Sequence, residues 1–93
     1  MIKSFADKLT AAVYSGLEVR RMAKPLQKAA RRKLMVLDAA SSLETLRATP
    51  GNRLEALKGD RKGQHSIRIN DQWRVCFRWD AGHAWGVEIV DYH

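Results

Sequence analysis

A chain of 93 residues that is 45% hydrophobic and 29% charged holds one domain with a modest core. Seventeen Lys and Arg against ten Asp and Glu leave a formal charge of +7, which points to a polyanionic or acidic partner, the bland alternative being a merely soluble surface. No run approaches the ~18 consecutive apolar residues of a membrane span, Met1 to Phe5 meets charge too early for a leader peptide, and the lone Cys76 permits no internal disulfide; the expectation is a cytoplasmic protein with no membrane association.

In chain order, Ile2 to Phe5 reads as a short first strand. From Ala6 to Ser15, Leu9, Ala12 and Val13 at helical spacing predict a helix that Gly16 stops. Gly16 to Ala23 carries Arg20 and Arg21 with few large apolar groups and reads as a flexible connector. Pro25 suits the first turn of a second helix, whose stripe of Leu26, Ala29, Ala30, Leu34 and Leu37 faces a core. Lys28, Arg31, Arg32 and Lys33 cover much of the remainder, and Arg31-Arg32-Lys33 is either a solvated helix face or a patch for RNA backbone. Ser41-Ser42-Leu43-Glu44 fits the cap of a short helix, Thr49-Pro50-Gly51-Asn52 is a turn, and Leu54 to Lys58 is a short extended piece ended by Gly59-Asp60.

The last third changes period from 3.6 to 2. Ile67 and Ile69, then Trp73, Val75, Phe77 and Trp79, then Trp85, Val87 and Ile89 alternate with polar or small residues, with turns at Asn70-Asp71-Gln72 and Ala81-Gly82-His83. The order of a strand, helices and a three-stranded meander predicts an α+β fold with N-terminal helices on one face of a small, mostly antiparallel sheet.

Register decides which polar groups meet. Keeping Ile69 and Trp73 on the core face sets Arg68 directly opposite Arg74. Keeping Trp79 and Trp85 on that face sets Cys76 opposite Glu88 and Arg74 opposite Val90, with Arg74 and Arg78 diagonal to Glu88. The open face then shows Arg68, Arg74, Arg78, Glu88 and Tyr92. Lys58, Lys62 and His65 precede the meander, and Asp91 and His93 end the chain. A solvated face neutralised by Glu88 accounts for Arg74 and Arg78; like charges directly opposed, as Arg68 and Arg74 are, instead suit a phosphate held between two guanidinium groups.

The chain shows neither a carboxylate set suited to magnesium nor Cys/His spacing suited to zinc, and no cofactor is expected. RNA offers a route without metal, because its 2′-OH attacks the adjacent phosphate when a base, an acid and surrounding cations are supplied. Arg and Lys are such cations, and His65, His83 and His93 are proton carriers by type.

Met1-Ile2-Lys3-Ser4-Phe5, Asn52-Arg53-Leu54-Glu55-Ala56-Leu57-Lys58-Gly59, Ser66 through Trp79, and Val87-Glu88-Ile89-Val90-Asp91-Tyr92-His93 resemble HigB/GraT-type toxins of the RelE/ParE superfamily over nearly the whole chain. The resemblance implies a type II toxin that cleaves messenger RNA in the ribosomal A site. It implies a HigA-like helix-turn-helix antitoxin as partner, with operator DNA bound only through that antitoxin. By position it assigns Arg68 and Arg74 to the scissile phosphate, His93 to proton transfer with Asp91 orienting it, and Tyr92 to a base or the 2′-OH. Lys58, Lys62, His65 and Arg78, with Arg31, Arg32 and Lys33, are the expected RNA contacts. Where some relatives read Arg-Leu-His this chain reads Arg53-Leu54-Glu55, so a catalytic role for that histidine would either be lost, slowing the enzyme, or pass to Glu55 or His65. The same fold also carries non-catalytic inhibitors of DNA gyrase, and a ribosome- or RNA-binding module without turnover is a third reading.

Overall fold

The computed structural model describes residues 1–91. Helix α1 (Lys8–Tyr14) begins where the Asp7 side chain accepts the Thr10 amide at 2.7 Å, satisfying one of the free N–H groups of the first turn. Helix α2 (Lys24–Ala39) has Pro25 in its first turn and buries Ala30, Leu34 and Leu37 from the expected stripe. Helix α3 (Leu43–Ala48) is capped by Ser42, whose hydroxyl accepts the Thr45 amide at 3.2 Å.

Between α1 and α2 the chain is irregular, but it is tied down at two points. Met22 is buried in the core, and the Val19 amide donates to Gln27 Oε1 at 2.7 Å. The connector expected there as flexible is thus held by one large apolar side chain and one buried-side hydrogen bond.

Four strands form one antiparallel sheet in the order β1 (Glu55–Ala56), β2 (His65–Arg68), β3 (Trp73–Asp80), β4 (His83–Asp91). The short extended piece before Gly59 therefore joins the meander as its fourth strand. Helices α1 and α2 pack on each other and on the β3–β4 half of the sheet. Their Val13, Leu34 and Leu37 meet Ile67, Val75, Phe77 and Val87, all essentially without solvent contact, while Trp73 and Trp79 pack at the margin of this cluster.

Two expectations are corrected. The N-terminal segment is no regular strand: Ile2 and Phe5 make single parallel bridges to Ala84 and Val87 of β4. Trp85 does not face the core. Cys76 pairs with Glu88 but Arg78 pairs with Trp85, so β3 advances two residues while β4 advances three. The extra residue is a bulge at Gly86, whose φ of 58° is left-handed and favours glycine. Ala84 takes the core position opposite Trp79, and Trp85 turns to the other face.

Candidate functional site

The sheet face turned away from α1 and α2 carries Glu55 from β1, Ser66 and Arg68 from β2, Arg74, Cys76 and Arg78 from β3, and Trp85, Glu88 and Val90 from β4. Arg68 and Arg74 are direct cross-strand partners, as expected. Their repulsion is offset inside the chain. Arg68 turns to Asp71 in the β2–β3 turn, and Arg74 Nη2 lies 3.4 Å from Glu55 Oε1.

Arg74 is the best held of these groups, at 9% exposure. Its Nε donates to Ser66 Oγ at 2.7 Å, and its Nη2 donates to the Arg53 carbonyl at 2.5 Å and to the Ser66 carbonyl at 3.4 Å. Arg53 lies at φ 45°, a left-handed conformation that non-glycine residues adopt at some cost. That conformation aims its carbonyl at the guanidinium. The neighbouring Asn52 side chain, fully buried, donates to the Leu46 carbonyl at 3.2 Å, and the Asn52 carbonyl accepts the Arg68 amide at 2.7 Å. The Arg53 turn is thereby fastened to both α3 and β2.

Beneath Arg74 the face is closed by Ser66 and Cys76, both fully buried. Burial pushes the Cys76 thiol up, which outweighs the nearby Arg61 and Arg74 charges and keeps it protonated at neutral pH.

Lys33, on α2, reaches the same corner. Its Nζ donates to Asn52 Oδ1 at 2.7 Å. Burial chiefly, then the charges of Arg68 and Arg32, hold its ammonium below the ordinary lysine value. Arg61, unassigned in the sequence reading, comes from a short 3-10 turn (Gly59–Arg61) and pairs with Glu88 Oε1 at 3.1 Å and with Gln64 Oε1 at 3.1 Å. The ion pair expected for Glu88 from Arg74 and Arg78 is thus made by a loop arginine, which no strand periodicity marks. Lys58 and Lys62 are exposed at either end of that turn.

Other predicted residues lie elsewhere. His65, expected just ahead of the meander, is instead the first residue of β2. It pairs with Phe77 and stacks on it, with ring centroids 6.1 Å apart, on the side facing the helices. Its Nδ1 is buried with no hydrogen-bond partner among the described residues, and burial first, then the Arg47 charge, lowers its pKa. Arg31 and Arg32 are exposed on α2, with Arg31 Nε donating to the Tyr14 carbonyl at 3.2 Å and so tied to α1 rather than to the sheet. Arg78 is exposed on the arginine face. Asp91 pairs with Trp73 and accepts from Gln72 Nε2 at 3.1 Å. Strand alternation sets its side chain on the face opposite Arg74, whose partner is Val90. Tyr92 and His93, the remaining candidates, lie outside the described residues.

Among the described residues no group of three or more His, Cys, Asp and Glu side chains converges in the manner of a metal site, and no helix is long and apolar enough to cross a membrane. What the face offers is two guanidinium groups on directly paired residues, each beside a carboxylate of the chain, with Arg74 held also by Ser66 and the Arg53 carbonyl. Guanidinium groups sharing one face can donate to an oxyanion and stabilise negative charge that develops on it.

Residues 3–93 match the family described as the RelE-like toxin of type II toxin-antitoxin system HigB. The chain is 41% identical over 85 residues to Toxin HigB-1 of Vibrio cholerae serotype O1, covering 90% of each chain. It is 34% identical over 61 residues to Endoribonuclease HigB of Proteus vulgaris, covering 66% of this chain and 65% of that one. Among solved structures it is similar to the YoeB-YefM complex from Staphylococcus aureus, with a TM-score of 0.62 at 20% identity, covering 100% of this chain and 98% of that one, a likeness of fold.

Proposed function

The chain belongs to the HigB-like family of RelE-like toxins of type II toxin–antitoxin systems, and from that premise we propose that it is an endoribonuclease that cuts messenger RNA in the ribosomal A site. The observation that carries this reading is the direct opposition of Arg68 and Arg74 on one sheet face, with Arg74 locked in place. The name of the Proteus vulgaris relative, Endoribonuclease HigB, supports the reaction class.

The proposed chemistry proceeds without a metal ion. The 2′-oxygen gives its proton to a base and bonds to the adjacent phosphorus. The bond from phosphorus to the 5′-oxygen breaks, and that oxygen takes a proton from an acid, leaving a 2′,3′-cyclic phosphate. Charge gathers on the non-bridging oxygens in the transition state, where Arg74 and Arg68 receive it. A guanidinium already held by Ser66, Glu55 and the Arg53 carbonyl needs no reorganisation as that charge develops. Proton transfer by His93 and a base or 2′-OH contact by Tyr92 rest on the family resemblance, as does a part for Asp91. Lys33, Lys58, Lys62 and Arg78 add charge for the RNA backbone, and binding should weaken with salt accordingly.

The partner in this reading is a HigA-like helix-turn-helix antitoxin, through which alone the toxin would meet operator DNA. The similar solved structures are toxin–antitoxin assemblies, which supports an antitoxin partner. Primer extension after brief expression tests the activity. New 5′ ends inside translated codons, absent from the same transcript lacking its start codon, are expected. Growth arrest with DNA double-strand breaks and no such ends would overturn it.

A further inference from the structure

We propose that Trp85 and Arg78 form a second RNA contact on the arginine face, a subsite in which the indole stacks on a nucleobase flanking the cut. The inference rests on the RNA-cleaving reading above and adds a residue to it.

Trp85 occupies a position that simple alternation would bury. The bulge at Gly86 reverses it, so that it stands opposite Arg78 and is 38% exposed, while Val87 beyond the bulge is fully buried. The core position that the ring vacates is filled by Ala84, with no solvent contact. The exposed ring is therefore set by the backbone, and bulges commonly re-aim a side chain beside a functional site.

One hydrogen bond orients the ring. Its Nε1 donates to the Asp80 carbonyl at 3.3 Å. The Arg78 guanidinium lies close by, since a Cβ placed on Gly86 would come within 3.7 Å of Arg78 Nη1. An exposed aromatic surface beside a cation, on the face that carries the proposed phosphate-binding arginines, matches how proteins hold single-stranded RNA: bases stack on rings while cations follow the backbone. Stacking of this kind tolerates any base, because every base has a π face.

Arg78 lies four positions beyond Arg74 along β3, which at ~3.3 Å per residue is about 13 Å. The ring then meets a neighbouring nucleotide and not the reacting one. It should act on affinity and leave the chemical step alone.

The test is single-turnover cleavage of defined messenger RNA in ribosome complexes with a vacant A site. Trp85→Ala should raise the half-saturating toxin concentration by between about 5- and 150-fold with an unchanged maximal rate. Trp85→Phe should restore most of it, and the thermal midpoints of all three proteins should agree. An abasic nucleotide at one flanking position should impose the same loss on the parent and no further loss on Trp85→Ala. Parent-like saturation by Trp85→Ala overturns the subsite. So does a loss that adds in full to every abasic substitution, which would mean that the ring touches ribosome or another protein surface. If the parent itself leaves the messenger uncut, the nuclease reading falls and this subsite with it.

Discussion

Replacing Arg74 by Lys separates a charge from a shape. Arg74 sends Nε to Ser66 Oγ at 2.7 Å and Nη2 to the Arg53 carbonyl at 2.5 Å, from a position 9% exposed. A lysine ammonium at the same site satisfies one of these acceptors and leaves the other, since its donors spread from a single nitrogen. The loss of one hydrogen bond to a charged group is about 1.5–3 kcal/mol. A small domain is stable by about 5–15 kcal/mol, so Arg74→Lys still folds. Cleavage should fall much further, by about 10²–10³, because a pre-positioned donor to the transition-state oxyanion is removed. Ser66→Ala keeps the guanidinium but frees its Nε, and should lie between parent and Arg74→Lys in both properties. Urea denaturation measures the stability, and single-turnover cleavage on vacant-A-site ribosomes measures the activity with the folded fraction known. If Arg74→Lys cuts at the parent rate while losing the expected stability, Arg74 is a packing residue and the proposed phosphate site is wrong.

Asn52→Ala removes the acceptor of Lys33 and the donor to the Leu46 carbonyl in a fully buried place, a loss of about 2–4 kcal/mol that urea denaturation will show; a change below ~0.5 kcal/mol would refute the anchoring of the Arg53 turn. His65 is held below its ordinary pKa by burial and then by Arg47, so the folded chain binds its proton less readily than the unfolded chain does. The stability it contributes is therefore present above the unfolded value near 6.5 and is lost as pH falls toward the depressed folded one. His65→Gln should flatten that part of the profile between about pH 7.5 and pH 5.5, and equal slopes in the two proteins would sink the assignment.

Much of the scaffold was legible because local periodicity reports it. The stripe from Leu26 to Leu37, the Ser42 cap and the alternation from Trp73 to Trp79 all appear where the spacing places them. The opposition of Arg68 and Arg74 followed from a three-residue turn and a shared core face. His65 was legible too, since the alternation that buries Ile67 puts residue 65 on the same side, opposite Phe77. The expectation nevertheless set it just ahead of the meander, where β2 in fact begins.

The chain by itself determined most of the inward-facing residues and which cations share a sheet face, because side-chain direction in an unbroken helix or strand depends on spacing. Only the tertiary structure decided what holds those cations. The grip of Glu55 and the Arg53 carbonyl on Arg74, the reach of Arg61 to Glu88 and of Lys33 to Asn52, and the outward turn of Trp85 at the Gly86 bulge arise where segments distant in sequence dock, or where one inserted residue breaks the period. Neither a long-range contact nor a single slipped residue leaves a mark in spacing, so both become visible only once the sheet has closed against its helices.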